Sequence, residues 1–90
     1  MYYVYVLLSL KDNKFYIGFT NDLRRRLREH NSGRNSSTKP RLPLKLIYYE
    51  AHLSKVDATR REKYFKTAKG KSSLKQVLRE SLKNIWVFYC

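Results

Sequence analysis

Five residues in the order Tyr5, Tyr16, Arg26, His30 and Glu62 contain what phosphodiester hydrolysis needs. A phenol can handle a proton, a guanidinium can grip a phosphate, and a carboxylate can hold a hard divalent metal. Each also has a plainer use. Eight tyrosines in 90 residues can serve packing or base stacking. A phenol with a reference pKa of about 10 acts as a base only if a nearby positive charge shifts it. His30 would ordinarily sit on the surface at a helix end, and Glu62 would form an exposed i,i+4 pair with Lys66.

The elements that must position these residues are legible in outline. Tyr2–Leu8 alternates as a strand, with Val4, Val6 and Leu8 on one side and Tyr3, Tyr5 and Leu7 on the other. Lys14–Phe19 is a second strand, with Phe15, Ile17 and Phe19 opposite Tyr16 and Gly18. The short polar break between them, with turn residues Asp12-Asn13, predicts an antiparallel hairpin that brings Tyr5 and Tyr16 together on one face. Asn21-Asp22 caps a helix from Leu23 to about His30.

At about 100° per residue, with Leu23 at zero, Leu27 falls near 40°, His30 near 340° and Arg26 near 300°. Arg24, Arg25 and Arg28 then look outward, while Arg26 and His30 flank the buried leucine stripe and point to the sheet. An arginine beside a core face needs an anion, a salt bridge, or a path by which its head reaches water.

Ser32–Pro43 is a basic Gly/Ser/Pro-rich loop, and Leu44–Ala51 returns as a third strand. Ser54 with Asp57 opens a second helix that Gly70 ends. Glu62 shares a face with Ala58 and Phe65. Ser73 with Gln76 opens a third helix whose apolar stripe is Leu74, Val77, Leu78 and Leu82. The predicted order is β-β-α-β-α-α in a single domain over residues 1–90. The apolar tail 85–90 is expected to dock on the domain, with a dimer contact as the alternative.

Twenty Lys and Arg against seven Asp and Glu give a net charge of +13. Such a field attracts polyanions and raises encounter rates with nucleic acid, without arguing for catalysis. A lone Cys90 excludes a disulfide framework and a cysteine metal site. The apolar start is too short to span a bilayer and lacks the flanks of a signal peptide, so the expected location is cytoplasmic.

The triplets Tyr3-Val4-Tyr5 and Tyr16-Ile17-Gly18, followed by Thr20-Asn21-Asp22-Leu23, Arg26, His30 and much later Glu62, together resemble the signature of the GIY-YIG nuclease superfamily. The match is to its small stand-alone bacterial type and runs from Tyr2 to about Lys69, with residues 70–90 left as a C-terminal helix and tail. Pro43–Glu50 is similar to that family's third strand, and Ala58–Glu62 to its metal-ligand helix. The resemblance implies an α+β fold, a three-stranded antiparallel sheet flanked by helices, and divalent-metal-dependent endonuclease activity, on DNA rather than RNA. By position, Glu62 would hold Mg²⁺ or Mn²⁺ and Arg26 would bind the scissile phosphate, while Tyr5, Tyr16 and His30 would assist proton transfer and position water. The flanking nucleic acid would meet Arg24, Arg25, Arg28, Arg34, Lys39 and Arg41. A monomer or weak homodimer is expected. The alternative is a non-catalytic basic DNA- or RNA-binding module on the same fold.

Overall fold

Strand β1 (Tyr2–Ser9) pairs antiparallel with both β2 (Phe15–Thr20) and β3 (Leu44–His52), so the sheet order is β2-β1-β3. The computed structural model describes residues 1–83. Cys90, the 85–90 tail and Asn84 lie outside them. Helix α1 spans Leu23–Asn31, α2 Lys55–Phe65 and α3 Ala68–Val77, and residues 79–83 are helical again. The element order and the α+β class are those read from the sequence. No helix among the described residues is long and apolar enough to cross a membrane.

The alternation of β1 divides the molecule into layers. Val4, Val6 and Leu8 join Ile17, Ala58, Phe65, Leu74, Leu78 and Leu82 in the core, which places α2 and α3 on that face. Tyr5 projects to the opposite face, where it meets His30 of α1. Register fixes which side chains share that face: Tyr5 lies opposite Gly18 on β2 and Tyr49 on β3. A bulge between Val6 and Leu7 shifts the β1–β3 ladder by one residue.

Local caps explain the helix boundaries. The Asp22 carboxylate accepts the Arg25 N–H at 3.1 Å, as its position before Leu23 predicts. At the other end of α1, the Gly33 N–H donates to the His30 carbonyl and the Arg34 N–H to the Glu29 carbonyl, a Schellman pattern that turns the chain into the basic loop. Ser54 caps α2 through the Asp57 N–H at 3.3 Å.

The α2–α3 boundary corrects the sequence reading. Helix α2 stops at Phe65, and α3 starts at Ala68 rather than near Ser73. Thr67 is the true cap, its hydroxyl accepting the Gly70 N–H at 3.0 Å. Gly70 is not a stop signal: a Cβ there would overlap the Tyr64 carbonyl, so a glycine lets α3 pack tightly on the end of α2. Two apolar stripes also come out narrower than expected. Val77 is 62% exposed while Leu74, Leu78 and Leu82 are buried, and Leu23 and Leu27 of α1 are only half-buried.

A polar cluster ties α2 to β3. The Arg61 guanidinium donates to both Glu50 carboxylate oxygens, at 2.9 and 2.6 Å, and lies 4.3 Å over the Phe65 ring. Glu50 also accepts from the Tyr48 hydroxyl at 2.8 Å and bonds His52 Nε2 at 3.1 Å. These bonds, led by Arg61, hold the Glu50 pKa down at about 2 despite its burial.

Candidate active site

Tyr5 is placed by the strand opposite it. A Cβ on Gly18 would overlap the Tyr5 ring carbon Cζ and its phenolic oxygen, so the Tyr5 side chain lies across the space a side chain at 18 would fill. Only glycine permits that arrangement, which gives the glycine of Tyr16-Ile17-Gly18 a direct physical reason. Tyr16, two residues earlier on the same face, has its ring centroid 6.5 Å from that of Tyr5 and 5.2 Å from the His30 ring.

Helix α1 supplies His30 and Arg26, one turn apart, on the side facing the sheet. Arg24, Arg25 and Arg28 are exposed, as the helical projection predicts. His30, at 1% exposure, is the buried residue of this helix. The Tyr5 hydroxyl lies 2.9 Å from His30 Nε2, and His30 Nδ1 lies 2.8 Å from the Thr38 hydroxyl. Thr38 in turn donates to the Asn35 carbonyl at 3.5 Å, and Arg26 Nε donates to the Tyr5 oxygen at 3.3 Å.

One arrangement of protons satisfies all of these bonds. With its own hydrogen on Asn35, the Thr38 oxygen accepts Nδ1–H of a neutral imidazole. Nε2 is then the bare nitrogen that accepts from Tyr5, whose oxygen accepts from Arg26. The electrostatics agree. Burial, then the nearby Arg26 charge, pushes the His30 pKa below its ordinary value and keeps the ring neutral. Burial also raises the Tyr5 pKa, outweighing the Arg26 hydrogen bond and charge that pull it down, so the phenol stays protonated. The Arg26 cation is reinforced, first by Tyr5 and also by Glu29.

Arg26 is the member of this group that faces outward. Its side chain is 33% exposed, its Nε is bound to Tyr5 and its Nη1 to Glu29 Oε2 at 3.2 Å. Nη2 has no hydrogen-bond partner among the described residues. Tyr16 is part-exposed, whereas Tyr5 is fully covered at 0%.

Glu62 rises from α2, and its carboxylate pairs with Lys66 Nζ at 3.3 Å. It makes no hydrogen bond to the tyrosines, but its negative charge adds to the rise of the Tyr5 pKa. Its side chain is 22% exposed. Among the described residues, no three His, Cys, Asp or Glu side chains gather into a metal-binding group. A single, partly exposed carboxylate is a donor set that suits Mg²⁺ or Mn²⁺, which complete their shells with water and phosphate oxygens.

The basic residues expected at the nucleic acid divide into two groups. Arg24, Arg25, Arg28, Arg34 and Lys39 are exposed. Arg41 is committed internally: it pairs with Asp12 at 3.4 Å, donates to the Lys14 and Phe15 carbonyls, and lies 6.0 Å from the Tyr16 ring centroid. It cross-links the loop to the hairpin beside Tyr16. Two participants escape the sequence reading. Glu29 stands three residues after Arg26 and four after Arg25, a spacing that could have revealed it. Thr38 carries no local signal, because its role depends on contacts made only in the fold.

A small α+β domain in which a tyrosine-bearing hairpin packs on a helix-borne arginine and histidine has the architecture of a nuclease-type catalytic domain. The chain belongs to the GIY-YIG family, whose catalytic domain matches residues 1–76. It is 48% identical over 68 residues to a UPF0213 protein of Streptococcus pneumoniae, covering 74% of this chain and 68% of that one. It is 37% identical over 86 residues to the UPF0213 protein YazA of Bacillus subtilis, covering 92% and 87%. The solution structure of the UPF0213 protein BH0048 from Bacillus halodurans superposes with a TM-score of 0.54 at 36% identity, over 86% of this chain and 85% of that one.

Proposed function

We propose that this domain is a divalent-metal-dependent endonuclease that hydrolyses phosphodiester bonds, in DNA rather than RNA. One observation carries the reading: Arg26 is anchored at Nε by Tyr5 and at Nη1 by Glu29, which leaves Nη2 without a partner among the described residues, in a chain of net charge +13. A guanidinium held in this way can neutralise the equatorial oxygens of a phosphate as charge develops, with little reorganisation. Tyr16 is part-exposed, so its hydroxyl can hydrogen-bond and position the attacking water, whose proton passes to bulk solvent. Tyr5 and His30 are covered and act through Arg26, as positioning residues. Glu62 would hold the metal, which supplies Lewis-acid stabilisation of the departing oxygen.

A non-catalytic nucleic-acid binder on the same fold is favoured by one feature, the Glu62–Lys66 pair, which engages the only carboxylate assigned to the metal. The experiment that separates the two readings is incubation of purified protein with supercoiled, linear and branched DNA in Mg²⁺ or Mn²⁺. Nicked product that disappears with EDTA and in Glu62→Ala is the expected result. Binding without cleavage on all substrates and in both metals would establish the binder.

A further inference from the structure

Beside Arg26, at the end of β2, lies a cavity of about 300 Å³ that the assigned residues do not account for. Its charged lining is Arg25 and Arg26 from α1 and Lys55 from the first turn of α2. Arg25 and Arg26 share one counter-ion, Glu29, at 3.5 and 3.2 Å. Among the described residues, Lys55 has no carboxylate within ion-pair distance. Three cations therefore answer to a single carboxylate around one small space, an arrangement that an anion would relieve. The lining is also aromatic: Tyr2 and Phe19 stack with centroids 6.1 Å apart and planes 8° from parallel. Asn21 adds an amide able to donate and accept.

We infer that this cavity binds one unpaired nucleotide next to the scissile phosphate, with its phosphate on Arg25 and Lys55 and its base against Tyr2 and Phe19. The inference rests on the nuclease reading for the position of the scissile phosphate at Arg26. Size and lining decide the class of ligand. About 300 Å³ is at the lower limit of small-molecule pockets and admits a single nucleotide, not a base pair. Aromatic side chains stack on any base, so the site selects an unstacked nucleotide rather than a sequence. Such a site is reached by a single strand, a flap or a frayed junction. A fully paired duplex reaches it only by extruding a base.

The test uses the whole chain in EDTA, with deoxyadenosine 5′-monophosphate and inorganic phosphate as probes, read by NMR. The nucleotide should give saturable shifts at the Tyr2 and Phe19 ring protons and the Asn21 side chain. Phosphate should shift the Lys55 region and leave the rings unmoved. Lys55→Ala, at an exposed position, should raise the nucleotide Kd about tenfold, as expected for losing one charge-assisted bond. Lys75→Ala, on α3, should leave it within about twofold. A single-stranded oligonucleotide should reproduce the ring shifts, and a blunt, fully paired duplex should not. Unmoved rings with the nucleotide, equal losses in Lys55→Ala and Lys75→Ala, or equal ring shifts from the blunt duplex would each overturn the assignment. Because neither metal nor cleavage enters the readout, failure here leaves the nuclease reading standing, and an inactive protein that shows these shifts leaves the cavity assignment standing.

Discussion

In the proton arrangement described above, Thr38 is the group that holds the His30 hydrogen on Nδ1. It is fully buried, and its hydroxyl is the partner of Nδ1 at 2.8 Å. Replacing it with valine keeps the shape but removes the acceptor, and a buried N–H left unpaired costs about 1–3 kcal/mol. The ring then gains by moving its hydrogen to Nε2, which would turn that nitrogen from an acceptor of the Tyr5 proton into a donor. Imidazole ¹⁵N shifts should therefore report the Nδ1–H tautomer in the native protein and in Thr38→Ser, and a displaced tautomer equilibrium in Thr38→Val. An unchanged Nδ1–H signature in Thr38→Val would show that the sheet and helix, not Thr38, fix the ring. The side chains on α1 were legible because helical geometry alone separates inward Arg26 and His30 from outward Arg24, Arg25 and Arg28. Thr38 was not, since a threonine in a Ser/Arg-rich loop looks like any turn residue until the chain folds back on α1.

Between elements, the polar cluster joining β3 and α2 governs the response to acid. Glu50 is held at about 2 against an ordinary 4.5, chiefly by its bonds to Arg61. A carboxylate depressed in the folded state stabilises it above the unfolded pKa and loses that contribution as pH falls through the folded one. With part of the pair open to solvent, the contribution at pH 7 is on the order of 2–3 kcal/mol, lost between about pH 4.5 and pH 2. His30 adds an earlier stage. Its pKa is lowered on folding, so from about pH 6.5 downward the unfolded chain binds a proton that the folded one refuses, and stability declines until its lower folded pKa is passed. Denaturant titrations across pH should show both stages. Glu50→Gln should lower stability at pH 7 and flatten the limb below pH 4.5, while leaving the His30 stage in place. An unchanged limb below pH 4.5 would remove Glu50 from the account. This cluster was invisible in the sequence because Glu50 and Arg61 are joined by packing across two elements. The α2–α3 boundary was misread for a related reason: Gly70 marks a close approach between helices, which looks the same in one dimension as a helix stop.

For the whole molecule, the question is whether the basic surface and the anchored arginine do different jobs. Twenty cations hold a polyanion diffusely, so one charge contributes little to binding, whereas one preorganised donor at the reacting phosphate contributes greatly to rate. Arg26 is tied to Tyr5 and Glu29, while Arg24 and Arg28 are exposed on the same helix. The decisive measurement is single-turnover cleavage at saturating protein, alongside binding titrations at several salt concentrations, for Arg26→Ala and for the Arg24→Ala/Arg28→Ala pair. Arg26→Ala should lose about 10²–10³ in rate with binding nearly intact. The double variant should bind more weakly, with a salt slope lower by about one unit per lost contact, and cleave normally once saturated. If the two variants behave alike in both measurements, α1 is a basic face only, and Arg26 takes no part in the chemical step.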